Sequence, residues 1–177
     1  FTVSGSELAM TSAGVLSFAS APDYETKTSY AATVTASDGT NTTTQAITVN
    51  VTTDNDNSPV FTSSATFSAA ENQTSIGTVT ATDADSGDSI TFTVSGSELA
   101  MTSAGVLSFA SAPDYETKTS YAATVTASDG TNTTTQAITV NVTNINDNSP
   151  VFTSSATFSA AENQTSLGTV PATAADS

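Results

Sequence analysis

The residues best suited to chemistry in this sequence are oxygen donors that bind hard cations. They are concentrated in two runs, Asn55-Asp56-Asn57-Ser58-Pro59-Val60-Phe61 and, 91 residues later, Asn146-Asp147-Asn148-Ser149-Pro150-Val151-Phe152. Ca²⁺ takes its ligands from carboxylates, side-chain amides and main-chain carbonyls, and each run offers all three kinds. Proline has no N–H for a sheet ladder and disfavours helix at the residue before it, so each run is predicted to be an extended connector.

Further acidic residues lie between the two runs, at the ends of predicted strands and in loops. Among them are Glu71, Asp83, Asp85, Asp114, Glu116 and Asp129. Two like charges about 4 Å apart repel by roughly 4 kcal/mol at an effective dielectric constant near 20. The chain has only two basic residues, Lys27 and Lys118, to compensate for its acids. The groups therefore indicate divalent cations, unless these acids are solvated turn residues, since Asp and Asn favour turns.

The elements that position these acids belong to a repeat with a period of 91 residues. Residues 1–57 match residues 92–148, and residues 58–86 match residues 149–177, with few differences. The differing pairs are Thr53/Asn144, Asp54/Ile145, Ile76/Leu167, Thr80/Pro171 and Asp83/Ala174. A unit of this length is large enough to own a hydrophobic core. We therefore expect the C-terminal part of one domain at 1–57, a complete domain at 58–148 and the N-terminal part of the next at 149–177.

Apolar and polar residues alternate along the predicted strands of the complete domain. Tyr121, Ala123, Val125 and Ala127 fall on one face of a strand, and the segment Ile138-Thr139-Val140-Asn141-Val142 repeats the pattern. A period of two predicts one buried face per strand, and hence two antiparallel sheets packed face to face. The spacing of strands and turns favours an all-β, immunoglobulin-like Greek-key sandwich of seven strands. No segment favours a helix.

Composition excludes several classes of function. The formal net charge is −15, and a polyanion lacks the Lys/Arg surface that phosphate binding requires, so no nucleic-acid partner is expected. No apolar run approaches the roughly 18 residues of a membrane span. The chain has no Cys, which fits a prokaryotic secreted protein or a reducing compartment. Because it begins with Phe1, we expect an excerpt of a longer protein.

Five ordered motifs resemble the cadherin repeat, in the form found in tandem arrays of large bacterial surface proteins. They are Ala70-Glu71-Asn72, Asp83-Ala84-Asp85, Asp114-Tyr115-Glu116, Ala127-Ser128-Asp129-Gly130 and the run from Asn146 to Phe152. The resemblance extends over the whole chain. It implies three Ca²⁺ ions at each junction, bound by the lower loops of one domain, the linker and the upper loops of the next.

The resemblance also implies a set of ligands at each junction. The ligands at the first are Asp23, Glu25, Asn55, Asp56, Asp83, Asp85 and Asp129, with the main-chain carbonyls of Asp54 and Asn57. The ligands at the second are Glu71, Asp114, Glu116, Asn146, Asp147 and Asp176, with the carbonyls of Ile145 and Asn148. Asp38 and Glu162, the counterparts of Asp129 and Glu71 in the incomplete copies, complete the predicted metal-binding set. Thr53, Asn144 and Ala174 replace the family's usual Asp, so one weak or altered site is expected per junction.

The expected function is mechanical. Neighbouring domains joined by a short linker flex unless something bridges them. The sequence therefore predicts a calcium-stiffened extender repeat of an extracellular surface protein that supports adhesion, with neighbouring identical repeats as its partners.

Three other interpretations stay open or are disfavoured. Ser177 corresponds to Ser86 and Phe1 to Phe92, so the chain could pair head to tail with other copies of itself in a filament, by strand complementation. A glycan-binding or homophilic module is a further alternative, although no aromatic platform is evident. An enzyme is not predicted, because the chain has no His, Cys or Arg, and the junctions account better for acid pairs such as Asp83/Asp85.

Overall fold

The computed structural model describes residues 1–176, and it contains strands and turns but no helix in that range. The all-β prediction is therefore confirmed. No segment of the described chain forms the long apolar helix that would cross a membrane. Ser177, the last residue of the predicted third part, lies outside the described residues.

Five strands precede the first linker. They are β1 (Thr2–Val3), β2 (Leu8–Met10), β3 (Leu16–Phe18), β4 (Ser29–Ser37) and β5 (Thr42–Asn50). A three-stranded sheet has the order β1-β4-β5, and β2 pairs with β3. All of these pairings are antiparallel.

Nine strand segments form the middle sandwich, defined here as residues 60–143. They are β6 (Val60–Phe61), β7 (Thr66–Ala70), β8 (Ser75–Thr78), β9 (Ala81–Thr82), β10 (Thr91–Val94), β11 (Leu99–Met101), β12 (Val106–Phe109), β13 (Ser120–Ser128) and β14 (Thr133–Thr143). One sheet has the order β10-β13-β14-β7 and the other the order β11-β12-β8, while β6 pairs with β9. After the second linker, β15 (Val151–Phe152) and β16 (Ala172–Thr173) repeat the pairing of β6 with β9.

The first predicted strand is divided because it changes partners. The segment β6 lies against β9, with Phe61 opposite Ala81, whereas β7 lies against β14. Between them the N–H groups of Thr62 and Ser63 both bond the carbonyl of Thr80, at 2.8 and 3.2 Å. The chain turns there, and the strand crosses from one partner to the other.

One pairing contradicts the prediction of wholly antiparallel sheets. β7 and β14 run parallel, from Thr66 opposite Thr139 to Ala70 opposite Thr143. Alternation along a strand indicates which face is buried, but it carries no information about the direction of the neighbouring strand. The two strands lie far apart in the sequence, as a parallel pair requires. This pairing brings the ends of β7 and β14 to one edge of the sheet.

The hydrophobic core lies between the two larger sheets, and its membership follows the predicted alternation. In β13 the side chains of Val125 and Ala127 are buried, while Ala122 and Thr124 on the other face are exposed. The buried members are Ala69, Val79, Phe92, Leu99, Leu107, Phe109, Val125, Ala127, Ile138, Val140 and Val142.

Gly105 occupies a tight position before β12. Its φ is +85°, in the left-handed region that glycine adopts without a steric penalty. Its carbonyl accepts the N–H of Val79 at 2.9 Å. A Cβ on Gly105 would lie 2.3 Å from the carbonyl oxygen of Val79, so no larger residue fits without a shift of the backbone.

Candidate metal centres at the two linkers

Two carboxylates of the described chain are buried, and each lies beside a linker. Glu71 is 2% exposed and Asp85 is 4% exposed. A buried charge is costly unless hydrogen bonds, a counter-charge or a metal compensate for it. The linkers are called here the first linker, residues 54–57, and the second linker, residues 145–148.

Glu71 is positioned by the parallel pairing of β7 and β14. It follows the last residue of β7 directly, and its N–H bonds the carbonyl of Thr143 at 3.1 Å. Its Oε1 accepts the N–H of Ile145 at 2.7 Å, and its Oε2 accepts the N–H of Tyr115 at 2.8 Å. One buried carboxylate therefore connects the end of the sheet, the loop after β12 and the second linker.

Three carboxylates meet at the second linker. Glu71, Glu116 and Asp147 each offer one oxygen, and these oxygens lie within 4.8 Å of one another. Burial raises the pKa of Glu116, as do a hydrogen bond with Asp176 and the charges of Glu71 and Asp176. Asp114 lines the same recess, together with Asn72 and Asn148. The recess thus combines carboxylates from a loop and from the linker.

Amide side chains hold these acids in place. Asn72 Nδ2 donates to Asp147 Oδ2 across the recess. Asn148 Nδ2 donates to Glu116 Oε2 at 3.1 Å and to Asp147 Oδ1 at 2.9 Å.

The last Asn of each linker docks on an acid of the following loop with the same geometry. Asn57 donates its backbone N–H to Asp85 Oδ2 at 2.8 Å and its Nδ2 to Oδ1 at 3.0 Å. Asn148 donates in the same way to Asp176, at 2.6 and 3.0 Å. The side-chain bond from the Asn is the main cause that lowers the pKa of each acid. The repeat thus reproduces a contact, as well as a motif, across both linkers.

Two carboxylate groups at the first linker share Asp85. One consists of Glu25, Asp56 and Asp85, and the other of Asp83, Asp85 and Asp88. In each group the three nearest oxygens lie within 4.8 Å of one another. Burial raises the pKa of Glu25, and the charge of Asp85 raises it further.

Two carboxylate oxygens at the first linker are buried without a partner among the described residues. They are Asp83 Oδ2 and Asp129 Oδ2. Buried polar atoms are nearly always hydrogen-bonded, and carboxylate oxygens without a donor are suited to a cation. The available ligands are oxygens from carboxylates, amides and main-chain carbonyls, the set that Ca²⁺ prefers. The residues present therefore fit Ca²⁺.

Some predicted ligands are engaged in their own turns. Asp23 accepts the N–H of Glu25 at 3.0 Å and the hydroxyl of Thr26 at 2.8 Å, and the Thr26 bond is the main cause that lowers the pKa of Asp23. Asp114 likewise accepts the hydroxyl of Thr117 at 2.9 Å, although it also lines the recess at the second linker. Asp23 and Asp114 therefore stabilise their own turns, in addition to any part they take in binding a cation.

Asp38, Asp54 and Glu162 are among the predicted acids that lie outside the three acidic groups of the described chain. Asp38 caps the turn before β5, where it accepts the N–H of Asn41 at 2.7 Å. Asp54, Asn146 and Glu162 are exposed to solvent.

Sequence reasoning missed two residues at the first linker, Asp88 and Asn132. Asn132 Nδ2 donates to Asn55 Oδ1 at 2.8 Å and to the carbonyl of Asn57 at 2.7 Å. A signal was available, because Asn132 lies three residues after Asp129 in the loop predicted to face the linker. Asp88 lies three residues after Asp85, just beyond the Asp-x-Asp pair.

Replacing Asn132 by Ala is expected to lower the free energy of unfolding in EGTA by about 1–2 kcal/mol, because two half-buried linker oxygens lose their donor. Urea unfolding would measure the loss. Asn41→Ala is the matched control, since Asn41 holds the same loop position but its side chain bonds Asp38, at 3.3 Å, and no linker oxygen within the described residues. Equal effects of the two variants would contradict a role for Asn132 in holding the linker.

No protein-family model matches the sequence, and no curated protein does. Solved structures do match. Protocadherin gamma B2, extracellular cadherin domains 3–6, superposes with a TM-score of 0.82 at 26% identity, covering 99% of this chain and 50% of that one. The chain has the fold of cadherin extracellular repeats.

Two other cadherin structures agree with this assignment. The protocadherin gammaB7 EC3-6 cis-dimer gives a TM-score of 0.81 at 27% identity, with 99% of this chain and 50% of that chain covered. Mouse cadherin-23 EC22-24 gives a TM-score of 0.77 at 28% identity, with 99% of this chain and 65% of that chain covered. The cadherin-like chain thus spans about half the length of the two protocadherin structures, and the resemblance inferred from the motifs extends to the fold.

Proposed function

We propose that this chain is a calcium-stiffened extender segment of an extracellular surface protein that supports adhesion. The observation that carries the proposal is the composition of one carboxylate group. Glu25 precedes the first linker, Asp56 belongs to it and Asp85 follows it, yet their oxygens lie within 4.8 Å of one another. A cation held by all three would tie the strands on both sides to the linker between them.

The domain organisation is part of the proposal. Residues 58–148 form one complete repeat, residues 1–57 the C-terminal part of the preceding repeat, and residues 149–177 the N-terminal part of the following one. The partners are the neighbouring identical repeats of the same array. The resemblance of the motifs to bacterial surface proteins favours a bacterial parent protein.

Hydrogen bonds from the chain's own residues hold the linkers in the conformation in which the ions would bind. Asn57 and Asn148 dock the linkers on the following loops, and Glu71 orients the start of the second linker through the N–H of Ile145. When bound, Ca²⁺ would supply positive charge that offsets the repulsion between the gathered carboxylates. Extracellular modules bind Ca²⁺ with dissociation constants of about 0.1–1 mM, so the sites would fill outside the cell and not in a low-calcium cytosol. At ~10 mM Ca²⁺, a site of ~0.1 mM adds about 2.7 kcal/mol of stability.

The test is small-angle X-ray scattering of the chain in millimolar Ca²⁺ and in EGTA, with the melting temperature recorded in both. Ca²⁺ is expected to give a longer, more rigid particle that melts at a higher temperature. Mg²⁺ is the control, because it keeps its waters and demands octahedral geometry, so it should substitute poorly. Unchanged size and melting temperature would refute the proposal and favour solvated turns.

The same measurement addresses association between copies. In a head-to-tail filament, the apparent mass from scattering would rise with protein concentration. A mass that stays at one chain at all concentrations would rule out the filament under these conditions.

A further inference from the structure

We propose that Asp88 is a direct Ca²⁺ ligand at the first linker, and that with Asp83 and Asp85 it forms an outer ion site. The inference rests on the proposed function, and it adds a carboxylate that the motif resemblance does not supply.

The loop geometry brings the three acids together. Asp83, Asp85 and Asp88 lie in the segment Asp83-Ala84-Asp85-Ser86-Gly87-Asp88, and one oxygen of each lies within 4.8 Å of the others. Gly87 has a φ of +101°, which lets the chain turn back so that Asp88 returns to the pair. The N–H of Asp85 donates to Asp83 Oδ1 at 3.1 Å and fixes that carboxylate within the loop.

Unsatisfied oxygens provide an independent indication of a ligand. Asp83 uses Oδ1 within the loop, while its Oδ2 is buried and has no hydrogen-bond partner in the described chain. Asp129 shows the same pattern. Its Oδ1 accepts the N–H groups of Thr131 and Asn132 at 2.7 and 2.6 Å, while its buried Oδ2 has no hydrogen-bond partner in the described chain. Partial desolvation raises the pKa of Asp88, and the charges of Asp85, Asp129 and Asp83 raise it further.

The three acids differ in how deeply they are buried, and this difference indicates a different role for each. Asp85 is buried and docked on Asn57, Asp83 is half-buried, and Asp88 is exposed. Asp88 therefore lies on the solvent side of the group, where it can add a ligand and a charge without taking part in the docking of the linker. Ligand charge count is one of the factors that set the affinity of calcium sites. Removing Asp88 should weaken one ion and leave the linker contacts intact.

The experiment is isothermal titration calorimetry of the full chain with CaCl₂. Asp88→Ala is expected to weaken one class of site about tenfold, with an intermediate effect for Asp88→Asn because the amide retains an oxygen but not the charge. The matched control is Glu98→Gln, which removes one charge from the same sandwich at an acid whose side chain is paired with Lys118. In EGTA the melting temperature of Asp88→Ala should equal or exceed that of the wild type, because a repelling charge is removed.

The outcomes separate the two proposals. If the wild type binds Ca²⁺ and stiffens while Asp88→Ala titrates like Glu98→Gln, the role of Asp88 is refuted and the proposed function stands. If the wild type binds no Ca²⁺, both are refuted. Selective weakening of one class of site in Asp88→Ala, with a melting temperature in EGTA that is unchanged or raised, would support the ligand role over a structural one.

Discussion

Gly105→Ala is expected to lower the free energy of unfolding of the middle sandwich by about 3–5 kcal/mol, near the upper end of single substitutions. Two effects act together. The φ of +85° disfavours any residue with a Cβ, and that Cβ would lie 2.3 Å from the Val79 carbonyl oxygen. Val79 is 1% exposed and bonds Gly105 through its own N–H, so it has little room to retreat.

Gly96→Ala separates the two effects. Gly96 has a similar φ of +81°, but an added Cβ would meet nothing within 4 Å. Its loss should be about 1 kcal/mol, from the backbone conformation alone. Urea unfolding of both variants measures the difference. A Gly105→Ala protein as stable as Gly96→Ala would show that the backbone at Val79 relaxes easily, contrary to the expectation.

Glu71→Gln is expected to destabilise the chain by about 2–3 kcal/mol in Ca²⁺. An amide group in place of one carboxylate oxygen would present a donor to a backbone N–H, at either Ile145 or Tyr115. The change also removes a predicted ion ligand from the group with Glu116 and Asp147. In EGTA the loss should be smaller, because the removed charge no longer repels those two acids.

Glu162→Gln is the matched control for this substitution. Glu162 holds the same position in the next copy of the repeat, but it is exposed and has no hydrogen-bond partner among residues 1–176. We expect it to change stability by no more than about 0.5 kcal/mol, as is usual at the surface. Thermal melting in Ca²⁺ and in EGTA measures all four values. If Glu71→Gln lost as much in EGTA as in Ca²⁺, the role of Glu71 would be confined to its backbone hydrogen bonds.

The sequence predicted those parts of the fold that depend on local pattern. Alternation in β13 and β14 identified Val125, Val140 and their neighbours as core residues, because the period of a strand is fixed by its backbone. Direction and partner were not predicted. The crossing of the first strand from β9 to β14, and the parallel pairing of β7, depend on contacts between residues far apart in the chain.

The candidate site was predictable to a similar extent. Motif spacing predicted Glu71 and Asp85 as ligands, and the structure adds that both carboxylates are buried. Asp88 and Asn132 were not predicted. Their positions beside the linker depend on how the loops fold back, as at Gly87, and residue type alone does not indicate this. The same limit applies to Asp23 and Asp114, whose side chains serve their own turns.

The parallel register of β7 and β14 has a mechanical consequence. The first linker leads through β6 to β7, the second linker continues from β14, and five residue pairs join β7 to β14. Tension along the chain would pull the beginning of β7 and the end of β14 in opposite directions, along the strands. The pairs would then be loaded together in shear instead of opening one after another, so they would resist tension applied through the two linkers.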